Sequence, residues 1–225
     1  MTYRRDTSLK GFARLVNNVL RRYYETVNES ARTLLELVSC LGRVIHEEER
    51  GHALSAGLQP VHLTALSYLR DANRYSNTPH ALTEFLGSTK GTVSQSLLLL
   101  YRKGLVEREA DPKDGRVVRL RLSAAGEKLL RGAALDARWE SAAGALSPED
   151  AALASQALAT VLRSLQRGRG GRTFGVCITC ALFTRVGARS FRCGLTGESL
   201  SQSDSTKICR EHMLPAHRPD PSSGK

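Results

Sequence analysis

Five residues near the C-terminus of this 225-residue chain have side chains and spacings typical of metal ligation. Four of the five cysteines fall within residues 177–209, and a histidine follows the last of them. In a reducing compartment, clustered thiols favour a metal or redox centre over structural disulfides. The candidate ligands are Cys177, Cys180, Cys193 and Cys209, with His212 as an alternative ligand.

The ligand spacing is compatible with more than one metal. Zinc favours two close ligand pairs, so Cys177/Cys180 and Cys209/His212 would form a site of three cysteines and one histidine that leaves Cys193 unused. An iron–sulfur cluster takes four thiolates from several loops, which the four cysteines can supply. We therefore expect a [4Fe–4S] or [2Fe–2S] cluster. Zinc, held either by three cysteines and the histidine or by all four cysteines, is the alternative, and a bare thiol switch is the third option.

The cysteine-rich segment, residues 173–214, is predicted to be a small metal-dependent module. It is too short to fold on an apolar core alone, so metal binding is expected to support its folding. A basic linker, RGRGGR (167–172), precedes it, and residues 215–225 have the composition of a disordered tail. Cys40 lies alone in an apolar helical pattern and is predicted to be a core residue.

The distribution of charge points to a polyanionic partner. The formal net charge is +11. Residues 88–122 carry 8 basic and 4 acidic side chains, and the segment from Arg163 onward carries 11 and 4. Two separate basic regions favour nucleic acid as the partner.

The elements that must position these residues are mostly helical. Apolar side chains recur at helical spacing through most of the chain. The short segment LVERE precedes the turn-forming sequence DPKDGR, and VVRLRL, in which apolar and basic residues alternate, follows it. The predicted helices cover residues 8–27, 31–54, 59–70, 79–86, 88–103, 124–146 and 147–166, and the predicted strands cover 105–109 and 117–122.

The order helix, turn, helix, basic hairpin predicts a winged helix-turn-helix. In the second helix of the pair, Val93, Leu97 and Leu100 form the inward face. Small polar residues and Gln95 occupy the outer face, where they would let the helix approach base edges in a major groove. The candidate DNA-binding residues are Ser88, Thr89, Lys90, Thr92, Ser94, Gln95, Arg116 and Arg119.

Two motifs, GTVSQSLLLLYRKGLVERE (91–109) and DPKDGRVVRLRLSAAGEKLL (111–130), resemble the MarR family of winged helix regulators. The resemblance implies a mainly α homodimer with a small β-wing, to which the metal module is added. It assigns N-terminal dimerisation helices to residues 1–57, a DNA-binding lobe to 58–122 and C-terminal dimerisation helices to 123–166.

The resemblance also implies roles for individual residues. Thr92, Ser94 and Gln95 would face the major groove of a pseudo-palindromic double-stranded operator, and Arg116 at the wing tip would enter the minor groove or bind its phosphates. This chain departs from the family pattern at two of these positions. Gln95 replaces a common arginine, and Gly115 replaces the first of two usual wing arginines.

These features predict a DNA-binding repressor whose operator affinity depends on the iron–sulfur cluster, with redox poise, oxygen, nitric oxide or iron as the signal. The alternative is a repressor that responds to a small aromatic ligand and carries a structural zinc site. The family binds such ligands between the dimerisation helices and the DNA-binding lobe, where His46, His52 and His62 could lie.

Several other functions are not expected. The sequence has no nucleotide-binding loop, nucleophile–base set or paired acids, so we do not expect an enzyme. No stretch approaches the roughly 20 apolar residues that span a bilayer, and the N-terminus lacks the apolar core of a secretion signal. The expected location is the cytoplasm.

Overall fold

A computed structural model of the protein places its elements in two compact units, residues 1–48 and 49–225. In the part of the chain that the structure describes, no helix is both long enough and apolar enough to cross a membrane. The described residues are 7–112, 114–131, 134–167 and 173–215.

One long helix, α1 (Thr7–Ser55), replaces the two predicted N-terminal helices. The prediction of a break near residues 28–30 was wrong. That segment reads Asn-Glu-Ser and contains neither proline nor glycine, so nothing interrupts the backbone hydrogen bonds. Within the first unit, Leu34, Val38 and Leu41 form an apolar stripe whose side chains are exposed.

In the winged helix lobe, which follows α1, a proline or a glycine marks at least one end of each helix. Pro60 and Pro79 occupy first-turn positions, where a missing N–H costs nothing. Gly87 and Gly104 adopt φ of 57° and 66° directly after two of the helices, a conformation that favours glycine. The elements are α2 (Pro60–Asp71), α3 (Pro79–Phe85), α4 (Lys90–Arg102) and the antiparallel strands β1 (Val106–Ala110) and β2 (Val118–Leu122).

One apolar core holds the lobe together. Val93, Leu97 and Leu100 are buried, as predicted for the inward face of α4. Leu99 packs against the same core, whereas Leu98 is exposed. Because one face of α4 is fixed by this packing, the opposite face has a defined orientation. Other members of the core are Leu63, Leu66, Tyr68, Leu69, Leu82, Val106 and Leu120.

The segment predicted as one helix over 124–146 contains two, α5 (Ala124–Arg131) and α6 (Ala134–Ala143), followed by α7 (Pro148–Arg167). Both predicted caps are present, since Ser123 Oγ accepts from the Gly126 N–H at 3.1 Å and Ser147 Oγ from the Asp150 N–H at 3.1 Å. On α7 a stripe of large apolar side chains is 45–65% exposed, namely Leu158, Val161, Leu162 and Leu165.

The C-terminal module consists of very short elements. Phe191 is its most buried large side chain and lies 4.9 Å from Phe183 between ring centroids. The predicted linker and tail lie outside the described residues except for Arg167 and Pro215. The elements are β3 (Gly175–Val176), a 3-10 turn (Cys177–Thr179), β4 (Phe183–Arg185), β5 (Phe191–Cys193), β6 (Ser199–Leu200), α8 (Gln202–Ser205) and β7 (Ile208–Cys209). The strands form two sheets, β3–β7 and β4–β5–β6.

Candidate nucleic-acid interface and cysteine module

The N-terminus of α4 is capped and presents small polar side chains. Thr89 is the cap residue, and its Oγ1 accepts from the Thr92 N–H at 3.2 Å. Thr92, Ser94 and Gln95 are exposed on the face opposite the core. The free N–H groups and the positive dipole of the first turn favour a negatively charged partner. This surface can therefore approach a phosphate backbone and place Gln95 against base edges.

The other predicted residues of this helix are also at its N-terminal end. Lys90 is exposed in the first turn, and Ser88 is half-buried just before the cap. Their contact with DNA stays a prediction. The wing is joined to the far end of α4 by Arg108, whose guanidinium carbon lies 4.1 Å from the centroid of the Tyr101 ring. This stacking links the orientation of the wing to that of the helix.

Arg116 lies in the turn of the wing and is exposed. Its backbone N–H donates to Asp114 Oδ1 at 3.0 Å, and the Asp114 N–H donates to Asp111 Oδ1 at 3.1 Å. The two aspartates therefore shape the turn. No ion pair holds the Arg116 side chain within the part of the chain that the structure describes, so its charge is available to a partner.

Arg119 has a different environment from the one predicted. Two of its nitrogens lie 2.6 Å from Asp111 Oδ2, and its Nη1 donates to Asn77 Oδ1 at 3.5 Å. Only 20% of the Arg119 side chain is exposed. Arg119 thus fastens the base of the wing, and the prediction that it also binds DNA is not tested by this geometry. Arg121, further along β2, pairs with Glu109 at 3.1 Å.

Two of the predicted metal ligands, Cys177 and Cys209, form a buried thiol pair. The Cys177 thiol hydrogen-bonds the Cys209 sulfur, which lowers the pKa of Cys209 and raises the pKa of Cys177, whose burial raises it further. Asn73 Nδ2 donates to Cys177 Sγ at 3.7 Å, and the Asn73 side chain also lowers the pKa of Cys209. Cys209 therefore loses its proton before Cys177 does.

The other two thiols are held separately. Cys180 Sγ accepts from the Met213 N–H at 3.4 Å. Cys193 is fixed through its backbone, donating to the Glu198 carbonyl at 3.0 Å and accepting from the Gly197 N–H at 2.8 Å. Among the described residues, no three histidine, cysteine, aspartate or glutamate side chains converge on a point that could hold a metal ion. The donor set suits a cluster or zinc, and metal binding by these thiols stays a prediction.

His212, the alternative ligand, is buried and engaged by two threonines. Its Nδ1 lies within hydrogen-bond distance of Thr173 Oγ1, and its Nε2 is 3.0 Å from Thr179 Oγ1. Burial lowers the pKa of His212. A Cβ at position 175 would collide with the ring, so only glycine fits there. In this conformation both ring nitrogens have threonine partners, and the role of His212 as a metal ligand stays a prediction.

Other sequence expectations had mixed outcomes. Cys40 was predicted to lie in a core, which was wrong. It is exposed on α1, and its sulfur accepts from Arg43 Nη2 at 3.0 Å. His62 is buried and caps α2, since its Nδ1 accepts from the Gln59 N–H at 3.0 Å. Asn73 was missed, because its only sequence signal was its place in the turn-rich stretch DANRYSNTP.

Comparison with known proteins supports the resemblance drawn from the motifs over part of the chain. Residues 56–117 match the model of the MarR family. That match covers α2, α3, α4 and β1, and the cysteine module lies outside it. None of the curated proteins compared with this chain is significantly similar to it.

The chain is also similar to solved structures of one regulator, S. aureus MepR. The structure in its DNA-binding conformation is 24% identical with a TM-score of 0.50, and the match covers 58% of this chain and 96% of MepR. The MepR–DNA complex is 23% identical with a TM-score of 0.49, covering 58% and 94%. MepR bound to ethidium bromide is 28% identical with a TM-score of 0.42, covering 57% and 96%. The identity and TM-score of the first of these structures show that this part of the chain is similar to MepR in fold.

Proposed function

We propose that this protein is a MarR-type transcriptional repressor that binds double-stranded DNA. The observation that carries the proposal is the capped N-terminus of α4, where Thr92, Ser94 and Gln95 are exposed beside a wing with an available arginine. Small side chains at this end permit close approach to a major groove, and the amide of Gln95 can pair with adenine. The match of residues 56–117 to the MarR family model supports the same assignment.

The repressor is proposed to act as a homodimer on a pseudo-palindromic operator. Each α7 carries a contiguous apolar stripe that is exposed in the single chain. Such stripes on helices favour burial against another protein surface. A second copy would also place two wings and two reading helices on one duplex, which a two-fold symmetric site requires.

Selection of binding sites from a random double-stranded DNA pool tests this proposal. The wild-type protein should enrich a sequence with two related half-sites. Gln95→Ala should relax the preference at one position of each half-site, at a cost of about 1–3 kcal/mol for that base pair. Gln156→Ala, on the exposed surface of α7, is the control. Failure to enrich any sequence, or equal preferences for wild type and Gln95→Ala, would contradict the assignment of α4.

We further propose that the four cysteines bind an iron–sulfur cluster whose state controls operator affinity, with redox poise, oxygen, nitric oxide or iron as the signal. Four thiolates form the donor set that such clusters take. The easily ionised Cys209 and its partner Cys177 supply two thiols already in contact. When bound, a cluster would supply redox-sensitive or signal-sensitive chemistry at the module. Zinc bound by the same four cysteines is the competing occupant.

Metal and sulfide analysis of anaerobically purified protein distinguishes these occupants. A cluster gives iron, sulfide and visible absorption, all of which should fall sharply in Cys193→Ala. His212→Ala should retain them, because both nitrogens of its ring are bonded to threonines. Stoichiometric zinc without iron or sulfide would overturn the cluster proposal. Zinc lost in His212→Ala but retained in Cys193→Ala would identify the site of three cysteines and one histidine.

A further inference from the structure

The cysteine module is fastened to the DNA-binding lobe. Phe174 packs its ring edge-on against Tyr68 and Phe85, with centroids 6.1 and 5.5 Å away. Lys207 Nζ donates to the Arg70 carbonyl at 2.6 Å. These contacts surround the connection between α2 and α3, residues 72–78, which we call the Asn73 turn. The module therefore lies against the segment that directly precedes α3, the first helix of the helix-turn-helix.

Asn73 contacts the thiol pair and the module backbone at once. It is 5% exposed. Its N–H donates to the Ile208 carbonyl at 2.9 Å, and its side-chain amide donates to the Cys177 sulfur at 3.7 Å. Its Oδ1 accepts from the Tyr75 N–H at 3.0 Å. Every polar group of the side chain is therefore used either by the thiol pair or by the turn itself.

The same turn is bonded to the wing. The Asn73 carbonyl accepts from the N–H groups of Ser76 and Asn77 at 3.0 and 3.1 Å. The Asn77 carbonyl then accepts from the N–H of Leu120 in β2 at 2.7 Å. Asn77 Oδ1 also accepts from Arg119, the residue that fastens the wing to Asp111. An unbroken path of hydrogen bonds thus runs from the Cys177 sulfur to the wing.

The Asn73 turn has a second attachment to the module. Ser76 Oγ accepts from the Arg210 N–H at 2.8 Å, and the Arg210 side chain pairs with Glu84 of α3 at 2.8 Å. Both side chains of the ion pair are mostly buried. This second attachment holds the module against α3, so a change at Asn73 need not release the module from the lobe.

We propose that Asn73 is a positioning residue through which the chemical state of Cys177 and Cys209 sets the position of the wing. This inference rests on the proposed function, because it states how that regulation reaches the DNA-binding surface. A free sulfur at position 177 and one that is covalently modified or removed differ as acceptors for the Asn73 amide. A regulated equilibrium requires this kind of differential interaction. A weaker amide–sulfur bond loosens one of the contacts that hold the Asn73 turn, and this turn supplies the backbone partner of Leu120.

The test combines a change at the sulfur with a change at the amide in the full-length protein. Cys177→Ala removes one acceptor. Asn73→Asp keeps Oδ1 for the Tyr75 N–H but removes the donor to sulfur. Gln202→Glu is the control, because it adds the same charge at an exposed position on α8 of the cysteine module, outside this path of hydrogen bonds. Circular dichroism and thermal melting establish that each variant folds, and Cys177→Ser replaces Cys177→Ala if the alanine variant does not.

Two readouts are measured. Hydrogen exchange of the β2 amides needs no DNA, and it should accelerate in Cys177→Ala. It should show no further change when that substitution is made in an Asn73→Asp background. Operator affinity should change at least about fivefold with Cys177→Ala in wild type, within the usual range of allosteric coupling, but less than about twofold in Asn73→Asp. The Gln202→Glu background should preserve the full response.

The possible failures are distinguishable. Equal effects of Cys177→Ala in the wild-type and Asn73→Asp backgrounds would overturn the role of Asn73 while leaving regulation by the module intact. An unchanged β2 exchange rate in Cys177→Ala would overturn the transmission itself. A protein that selects no operator but shows the predicted exchange pattern would retain the coupling and refute the proposed function.

Discussion

Arginines with similar positions in the sequence have different roles on the wing. Arg119 is committed to Asp111, whereas Arg116 is exposed in the turn. Arg116→Ala should therefore weaken DNA binding across all sequences and reduce the slope of log affinity against log salt concentration by about 1. Fluorescence anisotropy at several salt concentrations measures this, with Arg163→Ala on α7 as a control for charge. An unchanged slope would remove Arg116 from the interface.

His62 predicts a specific loss of stability in acid. Burial lowers its pKa below the ordinary value of 6.5. The unfolded chain therefore binds a proton that the folded chain resists, so the contribution of His62 is complete above pH 6.5 and declines as the pH falls toward the lowered folded value. His62→Asn keeps an acceptor for the Gln59 N–H but does not titrate.

Urea unfolding at fixed protein concentration tests this prediction. Between pH 7 and pH 5, the free energy of unfolding should fall less steeply in His62→Asn than in wild type. Parallel curves for wild type and His62→Asn would show that the His62 pKa is not lowered in the folded protein.

For individual residues, the sequence predicted which side chains of α4 are buried better than it predicted which side chains contact each other. The inward residues of α4 follow from helical periodicity, because a core selects apolar side chains at that spacing. The engagement of Arg119 by Asp111 depends on the registration of two strands, and the bond of Asn73 to sulfur joins residues 104 positions apart. Neither leaves a local pattern in the sequence.

Among the elements, the wing depends on one mostly buried ion pair. Asp111 binds Arg119 and also accepts from the Asp114 N–H in the turn. Asp111→Ala should destabilise the lobe by about 1–3 kcal/mol, because it leaves a largely buried guanidinium without its anion and removes a turn hydrogen bond. Glu109→Gln breaks the exposed pair with Arg121 and should cost less than about 1 kcal/mol.

Chemical denaturation followed by circular dichroism compares the two wing variants. Similar destabilisation by both substitutions would indicate that the two ion pairs are equivalent and that burial does not strengthen the Asp111 pair. Because the Asp111 pair is mostly buried and the Glu109 pair is exposed, Asp111→Ala should lower the free energy of unfolding more than Glu109→Gln does.

The helices were predicted well where caps and breakers mark their ends. Thr89, Ser123 and Ser147 all cap helices through their side chains. The division of α1 was predicted wrongly, because polar residues at 28–30 resemble a turn without supplying a residue that stops a helix. The arrangement of Cys180 and Cys193 was not predictable from spacing, since it depends on how β4 and β5 pair.

For the whole molecule, the exposed stripe on α7 predicts self-association. Leu162→Glu places a charge in the middle of that stripe and should shift the protein toward monomer, because a buried unpaired carboxylate is costly. Operator affinity should fall as well, since a monomer contacts only one half-site. Gln156→Glu adds the same charge on the opposite face of α7 and should leave both properties unchanged. Light scattering at micromolar concentration measures the mass, and a monomeric wild type would contradict the prediction.

The packing of Phe174 against the DNA-binding lobe limits the transfer of the cysteine module to another protein. The residue holds a φ of 44°, which non-glycine residues rarely adopt, while its ring contacts Tyr68 and Phe85. A graft of residues 173–214 onto another winged helix would carry the thiols. It would lose the contacts of Phe174 with the two aromatic rings and the hydrogen bond from the Asn73 amide. Natural recombination faces the same obstacle, so module and lobe should be inherited together and change in concert.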